Sequence, residues 1–249
     1  METSRYLECL AADAARLREV AEGRLDAAVP SCPGWTVRDL VQHVAIVYLH
    51  KVGCMELGSA PEDWPPDVSG EPPLALFDRA LAELTAAFAA RRPADATFTW
   101  YSPDQTVGFW IRRMAQETAV HRVDAELAAG AVTPVADDLA LDGIDEVLRI
   151  FLGWGTREYL HVPEVAALLA ESDGRTVEVR SGPETFLVRP TADGVRVDTA
   201  DGGAAAVVTG DPSPVLLWLW NRADADAVRV DGDPALIGYL RRLMADATE

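Results

Sequence analysis

At 249 residues, 49% hydrophobic and 25% charged, the chain is long enough to bury a substantial core in one or two domains. Forty acidic residues against 22 basic ones give a formal net charge of −18. That excludes the phosphate-neutralising surface that nucleic-acid binding needs, and it disfavours an anionic membrane surface. No segment approaches the roughly 18 uncharged apolar residues of a membrane span, and no basic stretch precedes an apolar run at the N-terminus. Cys9, Cys32 and Cys54 are odd in number and lack CxxC spacing, so the expectation is a cytoplasmic protein with reduced thiols.

Tyr6, Leu10, Leu17 and Val20 recur at helical spacing, and Gly23 closes that run. Residues 25–36, LDAAVPSCPGWT, form a connector built on Pro30, Pro33 and Gly34. Thr36 then serves as an N-cap with Asp39 as its capping-box partner. The helix it opens runs to about Leu57, with Val37, Leu40, Val41, Val44 and Tyr48 as its buried stripe and His43 just off the edge. Residues 58–73 are a Pro- and Gly-rich loop of a length that is often functional. A third helix covers 74–91. The stretch 108–130, GFWIRRMAQETAVHRVDAELAAG, reads as one amphipathic helix with Ile111, Met114 and Leu127 toward the core. Four helices with two long connections match a bundle that builds its site between facing helices.

A further helix over 137–152 follows Pro134, and then the period changes to that of strands: TVEVR, TFLVR, GVRVDT and AAAVVTG. SPVLLWLWNRAD reads as a buried helix, VRVDGD as one more strand and PALIGYLRRLM as a closing helix. The fold class is therefore α+β, with a helical bundle over 1–155 and a smaller α/β sheet domain over 156–249.

Glu117, His121 and Asp124, at spacings of four and three, fall on one face of their helix. Glu117 and His121 are one turn apart, which is how a single helix offers two ligands to a metal, and His43 is the candidate third. Two imidazoles and a carboxylate leave a coordination position open, as in catalytic zinc sites. They also describe the facial triad of non-haem iron, so the donors do not fix the metal. Asp124 is placed to accept the free ring N–H of a histidine. Arg122 and Glu126 read as surface ion-pair residues. A rival set, His43, His50 and Cys54, lies along the earlier helix, with Gly53 weakening the last turn before Cys54. A third reading makes His121 simply a hydrogen-bonded buried histidine. His161, near Pro163, looks like a surface or hinge residue, and the Trp-rich 218–220 segment looks like core. No GxGxxG after a strand, P-loop or GxSxG pattern is present.

Two segments carry a family resemblance. VPSCPGWTVRDLVQHVA resembles the opening motif of the mycothiol-dependent maleylpyruvate isomerase family, and MAQETAVHRVDAE resembles its second motif. The resemblance implies a DinB-like four-helix domain holding a divalent metal, usually zinc, through His43, Glu117 and His121, followed by a sterol-carrier-like α/β domain. LLWLWNRAD is similar to a family helix ending in Gly-Arg, with Asn221 where the family often has Gly. This implies Arg222 in a cleft between the domains. It further implies mycothiol as cosubstrate, Trp35 and Arg222 in its binding, Arg222 and Asp124 in catalysis, and Arg112 or Arg113 as partners for substrate carboxylates. The implied activity is attack by a metal-held thiolate on a small electrophile, as a cis–trans isomerase or a thiol S-transferase, by a monomer or homodimer. Two other classes fit the same donors: a binding or regulatory module with a closed structural metal site, and a DinB-like hydrolase that activates water.

Overall fold

The computed structural model describes residues 1–199 and 203–248. It divides into two compact units, Met1–Thr133 and Pro134–Glu249. The first is a bundle of α1 (Thr3–Ala21), α2 (Val37–Leu57), α3 (Pro73–Ala89) and α4 (Val107–Ala129). α1 packs chiefly on α4 and α2 on α3, while α2 also meets α4. That last contact brings His43 toward Glu117 and His121.

Local chemistry sets the helix ends. The Thr36 hydroxyl accepts from the Asp39 amide while the Asp39 carboxylate accepts from the Thr36 amide, completing the capping box. α2 and α4 both stop at glycines in the left-handed region, Gly58 at φ 68° and Gly130 at φ 77°. Val37, Leu40, Val41, Val44 and Tyr48 are all at most 1% exposed, as the apolar period of α2 requires. Each such side chain contributes about 1.5–3 kcal/mol by leaving water.

α4 departs from the expected amphipathic pattern, because it is buried along almost its whole circumference. Arg122 and Glu126 are 2% and 0% exposed, not surface residues. Arg122 Nε donates to Asp13 Oδ1 at 3.0 Å and its Nη1 to Glu126 Oε2 at 2.8 Å. Arg16 Nε donates to Glu126 Oε1 at 2.8 Å, and the Thr133 amide to Glu126 Oε2 at 2.9 Å. Burial alone would push the Glu126 carboxyl up, but these donors hold it below the usual carboxylate range. Charges buried between α1 and α4 are tolerated because each is paired.

The second unit begins with α5 (Asp137–Glu146), which continues as a π-helical stretch (Val147–Trp154) and then α6 (Gly155–Glu158). α5 packs on the later α8 (Pro212–Leu219), and the π-helical stretch packs on strand β3 (Gly194–Thr199). The whole run therefore belongs with the sheet, although helical period alone groups it with the bundle up to residue 155. After α7 (Pro163–Ala170) come β1 (Val177–Ser181), β2 (Glu184–Thr191), β3, β4 (Ala206–Gly210), α8, β5 (Arg229–Gly232) and α9 (Pro234–Ala247). The strand order is β3-β2-β1-β4-β5, with β1 and β4 parallel and the other pairs antiparallel. In this register Val177, Val179, Phe186, Val188, Ala206 and Val208 gather on one buried face. Trp218 and Trp220, at 1% and 6% exposure, are core.

The capping box should carry measurable stability. Thr36→Ala is expected to lower the unfolding free energy by about 1 kcal/mol, read by urea denaturation; an unchanged midpoint would show that the cap is not stabilising α2.

Candidate metal centre

Glu117 sits at the middle of the site, and its two carboxylate oxygens have different partners. Oε2 accepts from Arg113 Nη2 at 2.6 Å. Oε1 lies 3.2 Å from His121 Nε2 and 3.5 Å from His43 Nε2. One donor atom from each of the three residues falls within 4.8 Å of the other two. Arg113, 3% exposed, is thus engaged with Glu117, which removes it as a free clamp for substrate carboxylates. It leaves Glu117 presenting a single oxygen toward the imidazoles.

Asp124 orients the second histidine. Its Oδ2 lies 2.8 Å from His121 Nδ1, so Nδ1 donates to Asp124 and Nε2 is the ring atom turned toward Glu117 and the cluster. Asp124 is fully buried and is held in turn by the Ser31 hydroxyl and, at 3.7 Å, by Cys32 Sγ. The connector before α2 therefore does three jobs: Ser31 and Cys32 position Asp124, Trp35 packs against His43 with ring centroids 5.0 Å apart, and Thr36 caps the helix that carries His43.

The charges reinforce one another. Burial disfavours the Glu117 carboxylate, but the His121 ring, His43 and Arg113 overcome it and hold the group well below the usual carboxylate range. Burial likewise opposes a charged His121, yet Glu117 and Asp124 raise it to about 9.

Among the described residues, His43, Glu117 and His121 form the cluster with metal-holding geometry. His50 turns Nδ1 toward Lys51 Nζ at 3.1 Å and Cys54 Sγ at 3.5 Å, so two members of the rival set meet each other, but His43 groups with Glu117 and His121 and not with them. His161 is exposed. Arg222, in the second unit, donates to the Trp220 carbonyl at 2.7 Å and lies over that indole. A cavity of about 550 Å³ opens beside His43, lined also by Trp35, His50, Lys51, Trp64 and Pro65. The last two come from the Pro-rich loop. Sequence reasoning passed over Lys51, although one signal marked it: it is the only lysine in the chain.

A helical bundle that brings two imidazoles and a carboxylate together, followed by a mixed-sheet unit, defines a two-part α+β protein with a candidate metal centre in its first unit. Residues 7–126 match the mycothiol maleylpyruvate isomerase N-terminal domain, and residues 138–238 match the MDMPI C-terminal domain. These two matches account for most of the chain, and the protein belongs to the mycothiol maleylpyruvate isomerase family. The crystal structure of a mycothiol-dependent maleylpyruvate isomerase superposes with a TM-score of 0.64 at 15% identity, covering 93% of each chain. A histidine-to-alanine variant of such an isomerase gives 0.63 at 14%, again over 93% of each chain. Both likenesses concern the fold. No curated protein matches the sequence.

The raised His121 pKa predicts the pH response of protein stripped of metal by chelator. A folded-state value of about 9 against an unfolded value of about 6.5 stabilises the fold fully below the lower figure. That contribution is lost as pH rises through the upper one, a loss of up to about 3 kcal/mol. Glu117, shifted the other way, contributes above its ordinary value and loses that contribution as the solution becomes acid. Denaturation midpoints of the stripped protein should therefore fall between pH 6.5 and 9, and His121→Asn should abolish that slope. A flat profile in the parent protein would overturn the assignment.

Proposed function

We propose that the protein is a divalent-metal, thiol-dependent enzyme of the maleylpyruvate isomerase type, with His43, Glu117 and His121 as metal ligands and mycothiol as cosubstrate. The observation that carries this reading is the divided carboxylate of Glu117: one oxygen held by Arg113, the other facing two Nε2 atoms at 3.2 and 3.5 Å. The donor set suits zinc, the family's usual metal, and three protein ligands leave room for an exogenous one. A divalent ion bound there supplies the power to hold a thiol as its thiolate at neutral pH.

The chain's own residues prepare that chemistry. Arg113 fixes which Glu117 oxygen faces the site, and Asp124 keeps the His121 proton on Nδ1. Trp35 supports the His43 ring, the most exposed of the three ligands at 37%, and the adjoining cavity receives the small electrophile. Thiol addition to a cis alkene conjugated with a carbonyl leaves a single bond that can rotate, and elimination returns the thiol and the trans alkene. Transfer to sulfur without elimination shares the first step. Asp124 acts as a positioning residue, and on the family resemblance Arg222 and Trp35 contact the thiol.

Purified protein should carry about one divalent ion per chain by elemental analysis. His43→Ala and Glu117→Ala should each reduce that content at least tenfold, whereas His50→Ala should retain it. Metal retained by both ligand variants would refute the site. Cobalt-substituted protein should gain a sulfur charge-transfer band when mycothiol is added, and the thiol should raise its melting temperature. A spectrum that ignores thiol would favour a closed structural site or a hydrolase instead.

A further inference from the structure

Lys51 is the only lysine in a chain that carries 22 basic residues and a net charge of −18. It lies eight residues beyond His43 on α2, a rise of about 12 Å, and both residues line the same cavity of about 550 Å³. Its side chain is half-buried, with Nζ 3.1 Å from His50 Nδ1 and 4.7 Å from the centroid of the Trp110 ring. Neither partner carries a negative charge. Trp64, from the Pro-rich loop, packs edge-on against His50 at 5.0 Å between ring centroids and walls off this end of the cavity. Asp39, which also lines the cavity, has its carboxylate engaged by Thr36.

We propose that Lys51 is the anion-binding residue of this cavity and that it receives a carboxylate of a small electrophilic substrate whose reacting carbons lie toward His43. The ammonium's direct contacts are an imidazole and an indole; the Glu117 carboxylate acts on it from a distance but is itself held by Arg113 and faces His121 and His43, which leaves room beside Lys51 for a ligand anion. Burial lowers the Lys51 amine to about 8 and the neighbouring His50 ring to about 4. At neutral pH His50 is thus a neutral acceptor that steadies the ammonium without competing for the anion. The assignment deepens the thiol-enzyme reading and rests on it for the nature of the substrate, but the contact itself does not require metal.

Because the chain has one lysine, protein labelled with ¹³C at lysine Cε gives a single side-chain signal. Titration of the purified full-length protein with maleate should shift that signal saturably, and the uncharged diamide of maleate should not. By isothermal calorimetry, Lys51→Met should weaken maleate about tenfold or more, while Lys51→Arg should keep affinity within a few-fold. If Lys51→Met does not fold, the labelled parent protein still decides. A signal that ignores maleate, or undiminished affinity in a folded Lys51→Met, overturns the proposal. Elemental analysis of the same samples separates the two ideas. Metal-free protein whose Lys51 signal responds to maleate refutes the metal reading alone, and metal-loaded protein with a silent Lys51 refutes this one alone.

Discussion

The site depends on how one buried carboxylate is shared. Glu117 has two oxygens and three neighbours that compete for them, and Arg113 removes one oxygen from the competition. Without that guanidinium the carboxylate could rotate to pair with either imidazole separately. With it, a single oxygen faces both rings. A buried anion among two bases and a cation is costly unless its geometry is fixed, so the surrounding residues repeat the same device one step further out. Asp124 fixes His121, and Ser31 and Cys32 fix Asp124.

This hierarchy gives the connector before α2 its meaning. Its Pro and Gly residues prevent regular structure, and the irregular backbone lets four near-consecutive residues do separate work. Ser31 and Cys32 reach α4, Trp35 reaches the His43 ring, and Thr36 starts α2. A helix could not present side chains in so many directions over so short a span. Fold and site are coupled here because the segment that begins one helix also orients a side chain on another.

Much of this was legible in the sequence, and the failures share a cause. Capping residues, terminal glycines and strand alternation are local signals, so α2, α4 and the five strands could be read directly. The Glu117–His121 spacing was local as well, while the approach of His43 is a matter of tertiary packing that helical period leaves open. Arg122 and Glu126 show the limit most clearly. An i,i+4 ion pair has the same spelling on a wet face and between two helices, and only the packing of α1 on α4 separates the cases. The run from Asp137 likewise announces a helix but not the neighbour it packs on, and its π-helical portion has no spelling that separates it from an α-helix. Lys51 was visible as a count and not as a motif.

The Glu126 cluster has a consequence for where the first unit ends. The N-terminal family match stops at residue 126, yet the carboxylate of that residue is completed by the amide and hydroxyl of Thr133, and Arg122 is completed by the Thr133 carbonyl. Excising the bundle at the family boundary would keep the ion pairs of Glu126 with Arg16 and Arg122 and of Arg122 with Asp13, but would strip this buried cluster of its hydrogen bonds to Thr133. A cut made beyond Thr133 would keep those bonds. The hydrogen-bonded shell of this buried charge cluster therefore closes at Thr133, several residues past the end of the N-terminal family match.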